Sequence, residues 1–444
     1  MKYKNRKRNA WRGFVLRTGI WTLLLAPITL IQTSRVVVGS DATPILAFSL
    51  GPLSVRPQLF INQSFSDNLF SSSIRIGDEV TMFEPGLDLQ LGKPSQNMIR
   101  IGYRSGHRFY GEHHELDGGD DRLLLNFNYR GPKLTLAASE TFGFLTEPVG
   151  SFGEYRPLLP DGGSGAESSE PAAPPTPVAG ASETLIQVPG KSIDHSAYSG
   201  SFLLTYGLSE KTALYLQATH SAVNYQARIS LLDQSTIHGT LGYRYQAFPK
   251  IGIFGEAYFG KTESRSNGLN GSQPDASFFG GAFGVHGRFS EKISGDVRLG
   301  YGAQSFAGQV AAPDSPVVNA SLSYELSPKR NLTLSMAREQ SISSQYAQSS
   351  YVLDSLTARM NQTFGTSRKW SASVGGNFSR YNYSNTPGAG RDYNRYSGDL
   401  TVRYQIQRWL AANMSYTFTA IRRSSSITDE YTANQLSLNL AIGY

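Results

Sequence analysis

Along most of this chain, apolar side chains fall on every second residue, and that alternation limits the fold more than any other feature. It is clearest at Leu87/Leu89/Leu91, Leu123/Leu125/Phe127/Tyr129, Phe202/Leu204/Tyr206/Leu208 and Leu436/Leu438/Leu440/Ile442/Tyr444. Residues two apart share one face of an extended strand, so each segment carries one greasy and one polar face. Several runs are about twice the five or six residues usual for globular strands. A tilted membrane strand needs roughly 9–11 residues in hydrocarbon. After residue 50 no apolar stretch is long enough for a membrane-spanning helix.

A second period lies over the first. Tight turns read LSEKTAL (208–214), FPKIGI (248–253), SEKISG (290–295), SPKRNL (327–332), TSRKWS (366–371) and IQRWLA (406–411). Their basic residues Lys211, Lys250, Lys292, Lys329, Lys369 and Arg408 are spaced 39, 42, 37, 40 and 39 apart. That spacing is two strands, one tight turn and one longer loop. Longer polar loops fall between the turns, at 66–78, 111–121, 145–194, 224–234, 262–276, 305–315, 341–350, 384–392 and 422–431. Short periplasmic turns alternating with long outer loops are the pattern of outer-membrane barrels. The expected fold is all-β: a transmembrane, up-and-down antiparallel β-barrel of about 18 strands, with 16 to 20 left open.

The composition agrees: 17% charged residues, 45 Gly and no Cys. The last excludes a disulfide scaffold and any thiolate chemistry. The net charge of +7 misleads, because residues 1–40 hold eight basic side chains and no acid, leaving −1 for the rest. A nucleic-acid partner is therefore not expected. Residues 2–17 are basic and Ile20 to Ile31 form a short apolar run broken by Pro27, which reads as a secretory signal peptide over 1–40. Residues 41–53 follow as a short periplasmic lead-in. The barrel takes 54–444, and its Pro/Ala/Gly/Ser-rich outer loop 145–194 is expected to be disordered.

Charges decide which face meets lipid. An Arg or Lys near the bilayer midplane costs about 2–4 kcal/mol on the lipid side, so the charged face of each strand lines the lumen. On this face fall Arg56, Arg100, Arg104, Arg108, Arg244, Arg288, Arg298, Arg359, Arg395 and Arg403, against Asp88, Glu256, Asp296 and Asp399. Arg100, Arg104 and Arg108 form a ladder at about 13–14 Å steps. Such rows attract anions. The competing reading is internal pairing, Asp296 with Arg298 for example, that plugs the lumen. Aromatic residues near the tight turns (Tyr206, Tyr243, Tyr245, Phe289, Tyr324, Phe364, Trp370, Tyr404, Trp409) and near the long loops (Phe109, Phe142, Tyr381, Tyr383, Tyr393, Phe418, Tyr431) read as two interfacial girdles.

Catalytic patterns are weak. His107 shares a face with Ser105, Tyr103 and Ile101, and His220 lies near a loop, neither with a recognisable orienting partner. The loop GEHHELDGGDD offers Glu112, His113, His114 and Asp117 as a weak metal candidate, but a solvated acidic loop is the plainer reading. No cofactor is expected, and the chain is not read as an enzyme. Leu440, Ile442 and Tyr444 make an aromatic-terminated strand similar to the signal read by the barrel-assembly machinery.

The stretches SFSDNLF (64–70), MFEPGLDLQLG (82–92) and RIGYRSGHRFYGEHHELDGGDDRLLLNFNYR (100–130) resemble the start of the β-barrel porins found with exopolysaccharide-export operons. Asp67-Asn68, Pro85-Gly86, Tyr103 and Tyr110 carry the resemblance. It implies an outer-membrane protein of a Gram-negative cell, in contact with lipid, that helps an anionic polysaccharide across. The expected function is passage of anionic solutes or exopolysaccharide. The runner-up is a structural or adhesive barrel with an occluded lumen, and third is an outer-membrane hydrolase.

Overall fold

A computed structural model of the chain describes residues 48–93, 97–148, 192–226, 232–266, 275–306, 315–342, 350–384, 392–423 and 430–443. The segment 1–40 expected as a signal peptide, most of the 145–194 loop and Tyr444 lie outside the described residues. The first elements are β1 (Phe48–Leu50), β2 (Leu53–Ser66), β3 (Asp78–Gly92), β4 (Met98–Tyr110), β5 (Gly118–Arg130), β6 (Leu134–Pro148) and β7 (Ser192–Gly207). Next come β8 (Thr212–Tyr225), β9 (Leu232–Phe248), β10 (Ile251–Ser266), β11 (Ala276–Arg288), β12 (Ile293–Phe306) and β13 (Ser315–Ser327). The last are β14 (Arg330–Ile342), β15 (Ser350–Phe364), β16 (Trp370–Ser384), β17 (Tyr393–Gln407), β18 (Leu410–Arg423) and β19 (Tyr431–Ile442).

From β2 to β19 each strand pairs antiparallel with the next, and β19 closes on β2 through Leu440 opposite Ile61 and Ile442 opposite Leu59. The barrel thus has 18 strands and no free edge, which satisfies every strand's backbone groups where no water is present. β1 stands outside the ring. It folds back on the start of β2 through a turn at Gly51, whose φ of +63° favours a residue without a Cβ. Sequence reasoning gave this hairpin only as lead-in. The expected loop 145–194 is also trimmed at both ends, since β6 runs to Pro148 and β7 begins at Ser192.

The two ends of the barrel differ. Two residues join β9 to β10, β13 to β14 and β17 to β18, whereas the opposite end carries the long connections. By this asymmetry the short turns are periplasmic. The apolar side chains point outward. Leu438, Phe283 and Ile237 are 54%, 65% and 63% exposed, while their inward neighbours Ser437, Ala282 and His238 are buried. A water-soluble sandwich would show the reverse, so the exposed apolar band is the lipid-contacting surface.

The periplasmic girdle stands as expected: Tyr206, Tyr243, Tyr245, Phe364 and Trp370 face outward, with Trp370 stacked on Tyr404 at 4.4 Å. The outer girdle is a partial correction. Phe109 and Phe418 face outward, but Tyr381, Tyr383, Tyr393 and Tyr431 turn inward and pack with Tyr351, Leu353 and Ile421. Tyr381 and Tyr393 stack at 4.3 Å. These tyrosines share strand parity with the inward arginines of their own neighbourhood, so pairing geometry, not closeness to a loop, sets their face.

Candidate functional site

The inner face of β4 alternates Arg100, Gly102, Arg104, Gly106 and Arg108. The glycines are what make the ladder fit. A Cβ on Gly102 would stand 2.6 Å from Asp88 Oδ1, and one on Gly86 would stand 3.1 Å from Arg104 Cγ. Neighbouring strands lay carboxylates into this space. Arg100 pairs with Asp88 of β3 at 2.6 Å, Arg104 with Glu84 of β3 at 3.4 Å, and Arg108 with Asp120 of β5 at 2.6 Å. Arg122 takes the other oxygen of Asp120 at 3.3 Å. Gln58 of β2 donates to Asp88 and accepts from Arg104, and the Arg104 guanidinium lies 4.7 Å over the Phe60 ring.

Elsewhere on the wall Arg359 holds Asp399 with two bonds of 2.7 and 2.9 Å, a fork geometry only a guanidinium supplies. Arg298 pairs with Glu256 of β10 at 2.6 Å, where the competing reading of internal pairing had offered Asp296 as an example. Tyr215 donates its hydroxyl to the other Glu256 oxygen at 2.7 Å, and its ring takes the space a Cβ on Gly242 would need, 2.0 Å from Cζ. Arg244 stacks over the same ring at 5.5 Å. Arg403 donates to Gln405, and Arg288 to the carbonyl of Glu291 at the periplasmic end. Arg56 donates to Ser54. Among the described residues Arg56, Arg288 and Arg395 have no carboxylate partner. All the arginines expected in the lumen therefore lie on the inner face, but many are paired. The pairing draws on Glu84 and Asp120, two inward acids sequence reasoning passed over. Glu84 has the parity of Asp88, and Asp120 was assigned to a loop although β5 already begins at Gly118. Glu339 also faces inward, opposite Leu353.

A family model described as "Putative beta-barrel porin 2" matches residues 193–444. The chain belongs to this porin family. Solved structures similar to it include the outer membrane protein opdK from Pseudomonas aeruginosa, with 13% identity, 87% of this chain and 98% of that chain covered, and a TM-score of 0.45. Acinetobacter baumannii OccAB4 gives 10%, 87%, 97% and 0.44. Pseudomonas aeruginosa OccK2 (OpdF), solved with glucuronate, gives 12%, 87%, 98% and 0.45. No curated protein matches the chain. With its lipid-facing band, the porin is a channel-type barrel of the Gram-negative outer membrane.

The remaining candidates lie off the lumen. Within the expected metal loop, His113 bonds Asp78 of β3 through its ring at 2.9 Å, and Asp117 accepts the Tyr110 N–H at 2.8 Å. Asp78 also accepts the backbone N–H groups of Glu79, Glu112 and His113. Burial pushes its carboxyl up, but the His113 ring and these three N–H groups outweigh that and hold it below the ordinary carboxylate range. Among the described residues no three His, Asp or Glu converge as metal ligands. On the outer wall Asp121 accepts from Ser105 at 2.8 Å and from Tyr103 at 2.9 Å, a partner for these residues that the sequence did not reveal. His220 is a second correction: it sits mid-strand in β8 and not beside a loop. It approaches Glu140 to 3.8 Å across Gly200, and the Tyr198 hydroxyl donates to the same carboxylate.

Proposed function

We propose that the barrel passes anionic solutes or an acidic exopolysaccharide across the outer membrane, and that the Arg100, Arg104 and Arg108 ladder with Arg244, Arg288, Arg298, Arg359, Arg395 and Arg403 sets the preference for anions. The observation that carries this reading is the Arg–Gly–Arg–Gly–Arg inner face of β4. A guanidinium has five N–H donors and one carboxylate takes one or two, so a paired arginine still offers donors to a passing anion. Pairing fixes its position on the wall, and a fixed donor selects better than a mobile one. The polysaccharide arm rests on the resemblance of the 64–130 segment to export-linked porins. Leu440, Ile442 and Tyr444 are proposed as the signal read by the assembly machinery.

The inward tyrosine cluster and the nearly buried Arg298–Glu256 pair favour a second reading, a narrow or occluded lumen with a structural or adhesive role. Planar-bilayer recording across a salt gradient separates the two. The expected result is a conductance whose reversal potential shows anions permeating faster, reduced in an R100S/R104S/R108S variant. An absence of conductance, or a preference for cations, overturns the channel reading as stated.

A further inference from the structure

One row of side chains on the outside of the barrel has no part in the lumen. Arg338 of β14 pairs in register with Asp354 of β15, Asp354 with Arg380 of β16, Arg380 with Asn394 of β17, and Asn394 with Arg422 of β18. These five residues form one cross-strand line over five adjacent strands. The next outward line toward the periplasm is Met336, Leu356, Phe378, Tyr396 and Ala420. Met336, Leu356, Phe378 and Tyr396 are exposed members of the lipid-facing band. The charged line therefore stands outside the barrel, on the side of the long loops, where the hydrocarbon of the outer leaflet gives way to headgroups.

Its charges are arranged unevenly. Asp354 holds Arg338 at 3.1 Å, and Glu430 lies 3.7 Å from Arg422. Both guanidiniums stay open, with 42% and 48% of their side chains exposed. Arg380, between them, meets no carboxylate among the described residues; its Nε donates to Asn382 Oδ1 at 2.9 Å. That leaves its Nη edge, with the Asn394 amide on the next strand, for an outside acceptor. Arginines on alternate strands stand about 9–10 Å apart, so three cations span about 19 Å of the rim. Other parts of the rim are already balanced or acidic. Lys261 is clasped by Glu263 at 3.0 Å and Asp275 at 2.7 Å, and Asp121 faces outward from β5.

We infer that Arg380, flanked by Arg338 and Arg422 and helped by Asn394, binds the phosphate groups of a phosphorylated glycolipid in the outer leaflet. A guanidinium matches phosphate with paired N–H donors, and a basic cluster at a membrane surface gains affinity for each anionic headgroup it meets. The exposed apolar line directly beneath would hold the acyl chains of the same molecule. This site is independent of what the lumen carries.

Native mass spectrometry of the detergent-solubilised porin, titrated with lipid A bearing both phosphates, tests this. The other probes are the same lipid A with its phosphates removed, and phosphatidylglycerol. The comparison protein is R338S/R380S/R422S, shown to be folded by its heat-modifiable gel mobility. Should that triple variant not fold, R380S alone serves in its place. The expected result is retention of bis-phosphorylated lipid A by the native chain at least tenfold above the dephosphorylated form and above phosphatidylglycerol. The variant is expected to lose that margin. Equal retention of the dephosphorylated lipid, equal retention of phosphatidylglycerol, or an unchanged margin in the variant each overturns the assignment.

Discussion

Glu256 and Arg298 show what the lumen wall asks of single residues. Both side chains are almost fully withdrawn from water, and their contact at 2.6 Å is backed by the Tyr215 hydroxyl. Removing one partner of such a pair strands a buried charge, at a cost of about 3–5 kcal/mol, whereas replacing both with apolar groups of similar size is far milder. R298M is therefore expected to lower the unfolding midpoint in urea more than the R298M/E256M double variant does. A double variant as weak as the single one would show that the pair itself stabilises the barrel. Asp78 gives a pH-dependent counterpart at the outer rim. Its folded pKa is depressed, so its contribution is complete above the unfolded carboxylate pKa, near 4, and is lost as pH falls through the lower folded value. Acidification from pH 5 to below 3 should release the 111–117 loop, seen as lower amide protection factors at Glu112 and His113. D78N should show that low protection already at pH 5.

Strands were the most legible level, and β4 shows why. Its outward residues Ile99, Ile101, Tyr103 and Phe109 and its inward Arg100, Arg104 and Arg108 give its two faces directly, because a side chain on the wrong face would put charge into lipid. What alternation could not give is which acid meets which arginine. Glu84 and Asp120 reach the ladder through register with β3 and β5, and register is a property of two strands at once. The β1 hairpin was missed because three residues are too few to display a period. The glycines were legible only as breaks in the polar face. In the structure Gly102 is the space Asp88 occupies. G102V is expected to displace Asp88 from Arg100 and destabilise the barrel by about 1–3 kcal/mol, the usual range for overpacking. The check is chemical denaturation beside G207V: a Cβ on Gly207 would meet only backbone, at 3.7 Å or more. Equal losses in the two variants would mean that close approach at Gly102 is not the constraint.

For the whole molecule, the decisive matter is which of its two surfaces water touches, because selectivity, assembly and location all depend on it. The middle of β17 puts the alternatives on neighbouring residues. Leu400 faces outward and is exposed, while Thr401 faces the lumen between Asp399 and Arg403. A membrane barrel with a wet interior must treat one new cation oppositely at the two positions. L400R puts a guanidinium into hydrocarbon near the midplane, at about 2–4 kcal/mol. It should slow insertion into liposomes and lower the denaturant midpoint. T401R adds the same charge to a wall that already carries arginines, where solvent and Asp399 receive it. Its stability should stay within about 0.5 kcal/mol, as for a substitution on an accessible surface. Its reversal potential should shift further toward anions, because a fixed cation has joined the path. If T401R proved the more damaging of the two, the interior would be packed and dry at this depth, and the arginines would act as struts of the wall with no passing ion to meet.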